Sequence, residues 1–135
     1  MAPTTTFPTT WPYLWVYFYT LTLLSAAIGT FTPSAHALCA RAGFPQPPNQ
    51  PLNTYVYLFA GCQFMLGLSL AVLQAAGEWR AVSIVVACAF PMGVVGTTLS
   101  AVRNGEGVRG SAFWTHVGLM VVGTSAGWRL MGENW

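Results

Sequence analysis

Four long apolar stretches run along this chain, each ended by proline, glycine or charge, and their spacing predicts an all-α integral membrane bundle of four transmembrane helices. The stretches cover residues 11–32, 54–76, 80–102 and 112–131, each close to the ~20 residues that a helix needs to cross the hydrocarbon core. The first opens on Trp11, Tyr13 and Trp15, aromatic residues of the kind that collect at a membrane interface. It closes at Pro33. The segment to Asn53 carries Pro45, Pro47, Pro48 and Pro51, which cannot continue a helix exposed to lipid because freed backbone groups would go unsatisfied there. It is the longest connection, and a short helix is expected within it at 35–42.

Gly77, Glu78 and Trp79 form a tight polar turn between the second and third stretches, which makes those two helices antiparallel neighbours. Pro91 falls mid-way along the third, with Gly93 and Gly96 after it, so a kink or a locally opened turn is expected there. The glycine-rich loop Arg103-Asn-Gly-Glu-Gly-Val-Arg109 follows. In the fourth stretch Gly123 and Gly127 form a small-xxx-small pattern, read as helix packing and compatible with a homodimer. An A-x-A sequence at Ala35–Ala37 resembles a signal-peptidase site, but a basic leader region is missing and the first stretch is read as a retained span. The reading is one multi-pass domain, residues 1–135.

Composition reinforces this picture. Hydrophobic residues make up 54% of the 135 positions and charged residues 6%, too little charge to coat a water-facing surface. The charges are Arg41, Arg80, Arg103, Arg109, Arg129, Glu78, Glu106 and Glu133, placed between or at the ends of the apolar stretches. There is no lysine and no basic run, which sets nucleic-acid binding aside. Cys39, Cys62 and Cys88 are widely spaced, and Cys62 and Cys88, inside apolar stretches, read as packing residues, so no disulfide framework, metal site or cofactor is expected. Orientation is undecided by counting: Arg41, Arg103 and Arg109 on one side face Arg80, Arg129 and the free amine on the other.

No catalytic motif of specific spacing is present, so candidate chemistry is read from depth. At 1.5 Å per residue, His116 lies roughly 6 Å inside the start of the fourth helix, level with Thr97 and Thr98 near the end of the third. Tyr55 and Tyr57 open the second helix on that side, where the loops carry His36, Arg41, Asn53, Arg103, Asn104, Glu106 and Arg109. An ionisable residue within a span is a functional candidate because unpaired burial is expensive. His116 is therefore the candidate acid or base, with Tyr55, Tyr57, Gln63, Thr97 and Thr98 as the polar cluster around it. The competing structural reading has His116 bonded to Thr97 or Thr98, tying two helices together. Gln63, near mid-membrane, needs an interhelical partner, and Glu78 and Arg80 are expected to form a solvated pair.

The order of Gly29 and Pro33, Ala42-Gly43-Phe44, Gly61 and Gly67, Pro91, Gly105 and His116 resembles the DoxX-like small four-helix membrane proteins, and within them a family common in fungi. The resemblance spans about residues 25–130. That family pattern also has an arginine near Cys62 or Gln63 and an aspartate near Thr97, both absent here, so His116 alone carries over. The resemblance implies an accessory membrane protein of secondary-metabolite biosynthesis, meeting a lipophilic small molecule. It would act as an acid/base isomerase, cyclase or hydrolase, or as a non-catalytic anchor for partner enzymes.

Overall fold

The structure is a computed structural model that describes residues 8–103 and 105–135. Six α-helices follow one another: α1 (Tyr13–Gly29), α2 (Ala35–Arg41), α3 (Thr54–Ala75), α4 (Trp79–Cys88), α5 (Phe90–Arg103) and α6 (Ser111–Asn134), with a 3₁₀ turn at Gly107–Arg109. No strand occurs among the described residues.

Local chemistry sets most of these limits. Asn53 caps α3, its Oδ1 accepting from the Tyr55 N–H at 2.9 Å, which answers one of the donors a helix start leaves open. At the other end of α3 the Gly77 N–H donates to the Gln74 carbonyl and the Glu78 N–H to the Leu73 carbonyl, the paired bonds of a Schellman stop. Where a kink or an opened turn is expected, the third apolar stretch is two helices meeting at Ala89, whose N–H is shared between the Val85 and Val86 carbonyls at 3.1 and 3.2 Å. Pro91, lacking an N–H, cannot serve the carbonyl four residues back. The chain re-enters a helix at once, and Trp79–Arg103 remains a single 25-residue apolar run.

Two helices are long and apolar enough to cross a membrane, α3 and the joined α4–α5 segment. The first stretch yields a shorter helix than expected. At 17 residues α1 is roughly 26 Å long, and α6, with 24 residues, carries His116, Arg129 and several hydroxyls among its apolar positions.

The helices pack as two groups, α1 on α3, and α4 with α5 on α6. They meet in a small core of Val16, Leu23, Leu70, Val82, Val86 and Leu130. Gly67 makes the α1–α3 contact close, since a Cβ there would come within 2.9 Å of Leu24. Trp79 seals one end, receiving Tyr13 and Tyr17 edge-on at 4.7 and 5.5 Å. Outside this core the surface is apolar: Phe18, Leu21, Leu58, Met65, Val72, Val95, Val121 and Trp128 are all exposed.

One buried polar pair crosses the α1–α3 contact. Gln74 Nε2 donates to Thr20 Oγ1 at 2.7 Å, and both residues are buried. Leaving one partner of a buried hydrogen bond alone costs about 1–3 kcal/mol. Thr20→Val and Gln74→Met are each expected to lower the thermal midpoint of the purified protein, and the double variant to lose less than the two singles together. Strictly additive losses would show that the bond does not couple the helices.

Candidate functional site

His116 stands in the second turn of α6, and its place is fixed by three neighbours. Its Nε2 lies 3.0 Å from the Ala42 carbonyl oxygen. Its ring meets Phe44 at 6.0 Å, edge to face. Its Nδ1 faces Gly96 of α5, within 3.6 Å of where a Cβ on that residue would sit. A carbonyl oxygen only accepts, so Nε2 is the donor, and in the neutral ring the lone pair is on Nδ1, turned toward the neighbouring helix.

The Ala42 carbonyl is there because of how α2 ends. The Gly43 N–H donates to Ala40 and the Phe44 N–H to Cys39, at 3.0 and 2.8 Å. This is a second Schellman stop, with Gly43 at φ 84° in the left-handed region that glycine tolerates. The motif answers two of the carbonyls left open at the helix end, and His116 answers that of Ala42. Gly43 is also wedged between helices: a Cβ on it would lie 3.0 Å from the Cβ atoms of both Ala112 in α6 and Ser100 in α5. The connection is thus seated against the α5–α6 pair and pinned there by a histidine.

The second histidine does a related job. His36 Nε2 meets the Gln50 carbonyl at 3.0 Å, closing the proline-rich segment back onto α2, while Leu38 packs where a side chain on Gly29 would have to go. Burial pushes the Cys39 thiol up from its ordinary pKa, the direction that makes a thiol less reactive.

The remaining members of the expected cluster do not gather around His116. The Thr97 hydroxyl donates to the Gly93 carbonyl at 2.8 Å and that of Thr98 to Val94 at 2.9 Å, each within its own helix. Neither is bonded to the histidine; the tie runs to the connection instead. Tyr55, Tyr57 and Gln63 sit on α3, which packs on α1 rather than on the α5–α6 pair. Tyr55 is exposed, and Tyr57 packs against Phe31 at 5.5 Å. On α3 the amide that bonds across to another helix is that of Gln74 rather than Gln63. Glu78 and Arg80 form no ion pair among the described residues, because Arg80 lies over the Trp135 ring at 3.9 Å. Asn104 lies outside the described residues.

Two open grooves flank α6. One, of about 440 Å³, runs between α1 and α6 past Trp11, Trp15, Phe18, Gly118, Leu119 and Val122. The other, of about 270 Å³, passes Phe90, Met120, Val121, Thr124 and Ser125. Both are apolar and neither includes His116. The indole N–H of Trp15 and the hydroxyl of Tyr17 are buried without a partner among the described residues. The aromatic run at 11–19 was legible as an interfacial belt, but nothing in its pattern marked those two donors. No group of His, Cys, Asp or Glu among the described residues could hold a metal ion.

Residues 20–130 match the family described as Domain of unknown function (DUF4267). No curated protein and no solved structure matches the chain.

Gly43→Ala carries two penalties, a positive φ costing about 1–2 kcal/mol and a Cβ contact that α5 and α6 must yield to. The variant is expected to unfold several degrees below the parent and to speed hydrogen exchange at the Gly43 and Phe44 amides. Unchanged protection at those amides would show that the wedge is not closed in solution.

Proposed function

The chain belongs to the DUF4267 family, whose description carries no activity, and from its geometry we propose that it is a multi-pass integral membrane protein that anchors or organises partner enzymes in a bilayer. The observation behind this reading is the inverted surface. The two helices apolar enough to span have only 17% of their most apolar windows buried inside the protein, so their hydrophobic side chains face outward. A monomer in water rarely exposes contiguous apolar patches beyond a few hundred Å², whereas in lipid such a surface is at home. In this reading α1 and α6 are spans as well, giving four crossings with α4–α5 counted once. The short α1 is extended at the interface by Trp11 and its neighbours.

Binding is favoured over proton chemistry by the state of the polar groups. A general base must present its lone pair to a substrate, and that of His116 is turned against Gly96 while its donor holds Ala42. The hydroxyls of Thr97 and Thr98 are likewise committed to backbone carbonyls. The α1–α6 groove, apolar along its length, is the seat this reading offers to a lipophilic small molecule or a partner's helix. The biosynthetic, endomembrane setting enters through the resemblance to DoxX-like fungal proteins and is part of the proposal.

Two measurements test it. The protein is expected to stay in the membrane pellet through alkaline carbonate extraction; release to the supernatant would overturn the membrane reading. His116→Gln keeps an N–H donor for the Ala42 carbonyl but cannot titrate near neutral pH, whereas His116→Ala removes the bond at a cost of about 1–3 kcal/mol. In a host lacking the native chain, the Gln variant is expected to restore the parental metabolite profile and the Ala variant to restore less, in step with its lower abundance. A Gln variant present at parental level yet without function would make His116 a proton-transfer residue and reject the anchor.

A further inference from the structure

The five arginines divide into two groups that differ in kind. At one end of the bundle, Arg80 lies over the Trp135 ring at 3.9 Å and Arg129 pairs with Glu133 at 3.0 Å. With Glu78 beside them in sequence, these side chains balance in charge. At the other end stand Arg41, Arg103 and Arg109, the last residues of α2, α5 and the 3₁₀ turn. All three are exposed, and among the described residues none has an ion pair or an aromatic partner.

These three share one end because Gly43 brings their elements together. Arg41 is two residues before Gly43, Arg103 three after Ser100 and Arg109 three before Ala112, and Gly43 is packed against both Ser100 and Ala112. Each arginine is thus within about one helical turn of a common junction. Glu106 is the single acidic residue in the sequences of these two connections, so this end holds an excess of two positive charges, equal to the formal net charge of +2 of the whole chain.

We propose that this end is a binding surface for anionic phospholipid headgroups, with Arg41, Arg103 and Arg109 meeting their phosphates, and that it faces the leaflet rich in them. The inference rests on the membrane reading above. A guanidinium presents a planar fork matched to phosphate oxygens, and an anionic leaflet attracts basic residues held near its surface. Val102 and Val108, adjacent in sequence to Arg103 and Arg109, are among the most exposed apolar residues of the protein. Apolar side chains next to arginines suit a boundary between hydrocarbon and headgroups, where a free phosphate ion would instead be met in a polar recess. The arginine count alone leaves orientation open; the internal partners of Arg80 and Arg129 break the tie.

The test uses the full chain reconstituted in phosphatidylcholine bilayers containing trace spin-labelled phosphatidylserine or phosphatidylcholine. Incorporation into the neutral bilayer is required by the membrane reading itself, so failure at that step rejects that reading. Given incorporation, phosphatidylserine is expected to associate about fivefold more than phosphatidylcholine. Raising NaCl to about 0.5 M should reduce that ratio toward one, since these charges are exposed. The triple variant Arg41→Gln, Arg103→Gln, Arg109→Gln should abolish the preference, and Arg80→Gln with Arg129→Gln should leave it intact. Equal association of the two lipids would overturn the proposal. So would a preference that withstands salt or the triple substitution, or one lost on changing Arg80 and Arg129. Displacement by inorganic phosphate, at an ionic strength where chloride has no effect, would reassign the arginines to a free anion.

Discussion

A hydroxyl on a helix can turn back to the carbonyl three or four residues earlier, and this protein uses that option throughout. Thr22, Thr30, Thr97, Thr98, Thr115, Thr124 and Ser125 donate to the carbonyl four residues before them, and Ser83 and Ser100 to the one three before. Polar groups placed where water is scarce cost several kcal/mol each unless answered within the structure. Because the hydroxyls are answered locally, few side-chain bonds among the described residues remain to run between elements: Gln74 to Thr20, Asn134 to Tyr13, and His116 to Ala42. Those few determine how the pieces are held.

The consequence is a division of labour between shape and polarity. Apolar contacts join α1 to α3 and α6 to α4 and α5, and in the proposed bilayer setting they would fix register weakly, since lipid tails compete for the same surfaces. The cross-helix polar bonds supply register. His116 reaches across residues 74 apart in sequence, and its partner is a backbone carbonyl exposed by the way α2 stops.

That distance explains what could be read beforehand. The apolar runs, the glycine turn at Gly77 and the break near Pro91 are local signals, and they located the helices to within a few residues. The first stretch yielded a shorter helix because its start is given to Trp11 and Pro12 and its last three positions turn tightly after Gly29. The polar cluster around His116 was less legible. Depth along a helix can be counted, but azimuth and neighbour cannot: Tyr55 and Tyr57 have suitable depth and, like Gln63, sit on a helix committed to α1. Gln74 interrupts the apolar stretch 54–76, yet nothing local marks Thr20 as its partner. The receptive group for His116 is a carbonyl, and every residue but its neighbours' context looks alike in that respect.

The wedge at Gly43 bears on the order in which the molecule can be completed. Its seat is made by Ser100 and Ala112, and the carbonyl beside it is answered by His116, all of them made long after the connection itself. A growing chain therefore carries its first connection unfastened until the final helix arrives. Closure of that early loop thus depends on α6, and the end of α2 stays unfastened in any chain from which α6 is missing.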